Sequence, residues 1–104
     1  MLAQIYEKRS GDQETLTIRF GERMLPFVGY SLNSVTAVVK TIHEVDVSLN
    51  MIVGSAIIDG TDVIITIKDG ENGMDYNLRL IATLVKAGDP NQIINATLYI
   101  IVRD

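Results

Sequence analysis

The segment Asp62-Val63-Ile64-Ile65-Thr66-Ile67-Lys68 is dense in β-branched residues and is bracketed by Gly60 and by Asp69-Gly70. Val, Ile and Thr are stiff at χ1, which disfavours them slightly in helices and suits them to a pleated strand. Turn-forming residues on both sides hold the run to strand length. Similar runs occupy Glu14 to Phe20, Ser34 to Ile42, Asp75 to Lys86 and Asn95 to Arg103, separated by clusters of Gly, Asn, Asp or Pro. Weaker strand candidates cover Val45 to Ile52 and Ser55 to Ile58.

Two of these runs invite a test against helix. Between Tyr76 and Lys86 the apolar residues Leu78, Leu80, Ala82 and Leu84 recur every second position, the period of a strand and not of a helix. From Leu32 to Glu44 the pattern is less regular, but Val35, Thr36, Val38, Val39, Thr41 and Ile42 make a poor helix. Six or seven short strands at about ten-residue spacing, with no helical stretch between them, predict an all-β fold. The specific expectation is an immunoglobulin-like antiparallel β-sandwich of about seven strands. It forms one domain over residues 1–104, with residues 1–10 as a candidate N-terminal arm.

Alternation also assigns faces. Val63, Ile65 and Ile67, then Tyr76, Leu78, Leu80, Ala82 and Leu84, then Ala96, Leu98, Ile100 and Val102 are expected to form the layer between two sheets. The same phase turns Ile64, Ile81, Val85, Tyr99 and Ile101 outward. Exposed together these are an aggregation hazard unless something covers them. One reading makes them a protein–protein interface; the other covers them with loops or with Leu2 to Tyr6. The segment Gly21 to Asn33, which contains Leu25-Pro26-Phe27-Val28 and Tyr30, is expected to cross from one sheet to the other.

Charge and composition exclude several partners and chemistries. Nine Lys and Arg against thirteen Asp and Glu leave a net charge of −4, so a phosphate backbone is repelled on average and nucleic acid is not an expected partner. No apolar run approaches the ~20 residues of a membrane-spanning helix. The start, Met1 to Lys8, lacks the basic and long apolar regions of a signal peptide, so a soluble, membrane-independent protein is expected. With no cysteine there is no thiolate nucleophile, disulfide or Cys-ligated zinc.

His43 is the only histidine, and a His-based triad would have to pair it with Ser31, Ser34, Ser48 or Ser55, none of which lies in a Gly-x-Ser-x-Gly turn. The expectation is a polar turn residue and no catalytic site. Asp59, Asp62, Asp69, Glu71 and Asp75 gather at the two turns flanking one strand, where carboxylates at a loop end could hold calcium, but their spacing does not fit a twelve-residue calcium loop. Turn-forming Asp, bonding to its own backbone, is the preferred account, with no metal. Trp is absent and the aromatics are only four Tyr and two Phe, which argues against a sugar-gripping platform. No glycine pattern suits a nucleotide, and no cofactor is expected.

The second half reads Gly60-Thr61-Asp62-Val63-Ile64-Ile65-Thr66-Ile67, then Gly73-Met74-Asp75-Tyr76-Asn77-Leu78, then Ala96-Thr97-Leu98-Tyr99-Ile100-Ile101-Val102-Arg103-Asp104. It resembles a family of small immunoglobulin-like proteins encoded among bacteriophage and prophage structural genes, fibre-tail adaptors included. Members often carry a Trp in a central strand; this chain has none. The resemblance implies a non-enzymatic virion component, assembled in the host cytoplasm as a homo-oligomer, that joins tail or head–tail connector proteins to fibres. A bacterial immunoglobulin-like binding module, with or without calcium, and a capsid decoration protein are the alternatives. Tyr76, following Gly73 at the start of the long strand, stands where a tyrosine corner would tie a sandwich connection.

Overall fold

The computed structural model describes residues 4–104. Seven strands and one short helix follow in the order β1 Gln4–Lys8, β2 Glu14–Arg19, β3 Ser31–Thr41, α1 Ser48–Met51, β4 Ile52–Asp59, β5 Asp62–Ile67, β6 Asp75–Val85 and β7 Gln92–Val102. One sheet has the order β1-β7-β6-β3 and the other β2-β5-β4. Neighbours pair antiparallel except β1, which runs parallel to β7, so the first strand joins the last. This is the topology of an immunoglobulin-like sandwich. The expected fold class is the observed one.

The strand phases read from the sequence hold. Val63, Ile65, Ile67, Tyr76, Leu78, Leu80, Ala82, Leu84, Leu98, Ile100 and Val102 are all buried, and Ala96 is half-buried against them. Burying a Leu or Ile side chain contributes roughly 1.5–3 kcal/mol, so β5, β6 and β7 carry most of the cohesion of the sandwich. Leu78, two residues after Tyr76, occupies the place where disulfide-bearing antibody domains of similar topology put a cysteine. Apolar packing replaces the bridge.

Tyr76 is a tyrosine corner: its buried hydroxyl accepts a 2.9 Å hydrogen bond from the Glu71 N–H, five residues upstream. Gly73, at φ 86°, donates its N–H to the Val102 carbonyl and closes the same connection onto β7. Gly70 approaches the core more closely still, and a Cβ built there would lie 2.8 Å from Val102 Cγ2. The ammonium of Lys8, whose side chain is buried, donates to the carbonyls of Arg9 and Asp69 and pins the end of β1 to this loop.

Three expectations change. Val45 to Ile52 is not one continuous strand: residues 42–47 turn back onto β3 with a single antiparallel bridge between Lys40 and Asp46, Ser48–Met51 form one helical turn with Met51 buried, and Ile52 begins β4. The backbone reverses at Glu44, φ 64°, and the Asp46 carboxylate takes hydrogen bonds from the Ser48 N–H and hydroxyl, a local closure that competes with strand pairing. The strand expected over Ser55 to Ile58 is longer, Ile52–Asp59, and is bulged around Gly54, φ 69°. The candidate arm at residues 1–10 contains an ordered strand, β1. The connection from β2 to β3 does cross between sheets, inserting Phe20 and Met24 into the core.

Candidate binding surface

Strand register builds the outer face of the four-stranded sheet in rows. One row reads Lys40, Asn77, Tyr99, Ile5 and the next Asp75, Ile101, Glu7; on the other side lie Val38, Arg79, Thr97 and then Thr36, Ile81, Asn95. Val85 closes β6 beside Ser31. Ile81, Val85, Tyr99 and Ile101 thus share this face, as the alternation required.

Ile64 does not join them. It lies on β5, in the three-stranded sheet, between Thr17 and Ile57, and its outer face looks the opposite way. The period of two reports which side of its own sheet a residue faces, and nothing about which sheet.

The apolar centre of the face is Tyr99 and Ile101 with two residues that the alternation missed, Ile5 and Ile42; these four line one depression with Asp75 and Asn77. Ile5 is 69% exposed and Ile42 58%. The expected cover from Leu2 to Tyr6 is not what its described part does: Gln4 to Tyr6 pairs edge-on with β7 and places Ile5 beside Tyr99, so it widens the face. Leu2 lies outside the described residues. Nothing local in Gln4–Lys8 announces pairing with a strand more than 90 residues away, and Ile42 stands just past the end of β3.

The rim is polar. Arg103 clasps Asp75 at 2.9 Å and Lys40 faces Glu44 at 3.7 Å. Arg79 stands exposed between Val38 and Thr97. An apolar centre with a charged rim is the composition of a protein contact surface.

A second apolar projection lies at one end of the sandwich, where Leu25 and Val28 are 73% and 79% exposed. Their loop is braced by an edge-on Phe27–Tyr30 pair, by the Tyr30 hydroxyl on the Pro90 carbonyl at 3.0 Å, and by Lys86 on the Val28 carbonyl.

The candidate chemistry disperses. His43 is exposed in the turn after β3 and its N–H bonds to Thr41 Oγ1. Ser48 Oγ donates to Asp46 at 2.6 Å while accepting from the Val39 N–H at 2.9 Å, bonds that hold the turn against the end of β3 and lie apart from His43 in the hydrogen-bond pattern. Asp59 and Asp62 lie at one end of β5 and Asp69, Glu71 and Asp75 at the other, so they cannot share an ion. Among the described residues no three His, Cys, Asp or Glu side chains come together as metal ligands. No described helix is long and apolar enough to cross a membrane.

No protein-family model, curated protein or solved structure matches the chain.

Proposed function

We propose that this protein is a non-enzymatic assembly module that binds another protein through the outer face of its four-stranded sheet. The setting we propose is a bacteriophage virion, where it acts as an adaptor joining tail or connector proteins to fibres. The observation carrying the binding reading is the cluster of Ile5, Ile42, Tyr99 and Ile101, apolar residues that the fold leaves outside its core on one face. The virion setting is supported by the resemblance of residues 60–104 to phage immunoglobulin-like structural proteins. The braced loop bearing Leu25 and Val28 favours a second reading, a binding module that grips its partner by the loop end.

The test takes as candidate partners the proteins encoded beside this chain, tail proteins first if any are among them. Tyr99→Asp and Ile101→Asp are expected to abolish co-purification with one of them while leaving the melting temperature within a few degrees of wild type, since neither residue belongs to the buried core. Retained binding in both variants overturns the face as the contact surface. Retention combined with loss in Leu25→Asp transfers the role to the loop end.

A further inference from the structure

The sandwich has four strand edges, and the described residues guard three of them. β1 is five residues long and carries Glu7 and Lys8; β2 is six residues long and begins and ends on the charges Glu14 and Arg19; β4 is interrupted near its middle by the bulge at Gly54, whereas the bulge of β3 lies near its start and its one charge, Lys40, near its end. β3 differs. From Ser31 to Val39 it runs without a charge, a proline or a glycine, and its second charged neighbour along the edge comes only in the turn that follows. Natural sheets rarely leave a long uncharged edge open without use for it.

Backbone geometry shows how much of that edge is open. The Val39 N–H is taken by Ser48 Oγ, the Val39 carbonyl by the Val47 N–H, and the Thr41 N–H by the Val45 carbonyl. These bonds lie on the side away from β6, so Val39 and Thr41 face the free edge. In an antiparallel ladder successive residues point their N–H and C=O groups to opposite sides, so Val35 and Ala37 also face it. Neither makes a backbone hydrogen bond there, although β4 passes close to β3. The window is closed at one end by the turn folded over Val39 and at the other by the bulge at Asn33, between Leu32 and Ser34, where the strand bends. Asn33 and Val39 each stand three residues from Thr36.

That symmetry identifies the occupant. We infer that the β3 edge pairs with the β3 edge of a second copy of this chain, antiparallel, about a two-fold axis through Thr36. Val35 then exchanges both backbone bonds with the second copy's Ala37, Ala37 with the second copy's Val35, and the two Thr36 side chains meet on the outer face. Identical antiparallel strands give a closed, self-complementary contact. The seam is confined to these residues, because at each end the folded turn occupies the Val39 edge opposite the other copy's Asn33. Although each copy carries a net −4, the paired segments are uncharged, and the turns bearing Glu44 and Asp46 fall at opposite ends of the seam. The seam shares no residue with the patch around Tyr99, so it stands or falls apart from the virion reading.

Sedimentation and amide exchange test it. The wild-type mass should rise from 11.5 kDa toward twice that value between micromolar and about 1 mM protein, with exchange at Val35 and Ala37 slowing in step. Thr36 is exposed, so Thr36→Lys and Thr36→Glu should melt like wild type. Each alone should stay monomeric, and an equal mixture should dimerise. A wild-type mass fixed at the monomer up to that concentration overturns the inference. So does association undiminished in Thr36→Lys, or exchange at Val35 and Ala37 that ignores concentration.

Discussion

β3 and β6 are both eleven residues long and pair with each other, yet they are different objects. β6 lies between β3 and β7, and its inward residues from Tyr76 to Leu84 are buried without exception while the outward ones are not. β3 has a neighbour on one side only; of its inward residues just Val39 is buried, Val35 and Ala37 are half-buried, and the ladder slips at Asn33. A strand held from both sides cannot shift without moving its whole apolar set to water. An edge strand has half that constraint, and it can spend the freedom on a bulge, a folded-back turn or a partner.

The largest expected effect measures this contrast in the core. Leu80→Ala, in β6, should cost about 2–5 kcal/mol in denaturant unfolding, because a fully buried Leu leaves a cavity that its two flanking strands cannot collapse into. Val35→Ala, on β3, should cost about 1–2 kcal/mol, near the worth of the methyl groups removed from a half-covered site. Equal costs would mean that β3 is as firmly held as β6 and would dissolve the distinction.

A smaller effect compares how the two strands begin. Tyr76 and Tyr30 each tie a loop by a hydroxyl hydrogen bond, Tyr76 to the Glu71 N–H while buried and Tyr30 to the Pro90 carbonyl while half-exposed. Tyr76→Phe should destabilise by about 1–1.5 kcal/mol, since it removes a partly buried hydrogen bond between the Glu71 N–H and the buried Tyr76 side chain. Tyr30→Phe should cost under about 1 kcal/mol, because water replaces the lost bond. A reversal of that order in thermal unfolding would place the firmer anchor at β3.

The smallest effect concerns the turn that covers the end of β3. The Ser48 hydroxyl and N–H on Asp46 hold its carboxyl below the unfolded-chain value of 3.8. A depressed folded pKa contributes stability that is fully present above 3.8 and is lost as the pH falls through the folded value. Acidification below that point should therefore speed exchange at Val39 and Val47 before any change at β6, and Asp46→Asn should remove the difference. Simultaneous exposure of both strands in acid would show that the turn and the centre of the sheet open as one unit. Asp104, lowered by the Ser10 hydroxyl and N–H, titrates in the same direction, while Tyr6 is pushed up to about 12 by burial and by its bond to Glu14 and leaves this window undisturbed.

The contrast also explains what could be read in advance. β5, β6 and β7 were legible because each buries one full face, which forces strict alternation of Val63, Ile65 and Ile67, of Leu78, Leu80 and Leu84, and of Leu98, Ile100 and Val102. Residues 45–51 read as strand because Val45 and Val47 have strand-like side chains, whereas the Asp46–Ser48 closure that decides their path depends on two short polar residues. On the candidate surface Tyr99 and Ile101 were found by phase, but Ile5 was hidden in a segment whose partner strand is set by topology.

The amino-acid sequence alone determined that this chain makes sheets, which residue of each long strand turns inward, and that it has one histidine and no cysteine with which to build reactive sites. Those properties follow from side-chain chemistry and a two-residue period, both local. Only the tertiary structure decided that Ile64 faces away from Tyr99, that β1 runs parallel beside β7, and that β3 is an edge strand on which Val35 and Ala37 make no backbone hydrogen bond away from β6. Which strands become neighbours is a matter of closing a single core around the whole chain, and no window of ten residues contains that information.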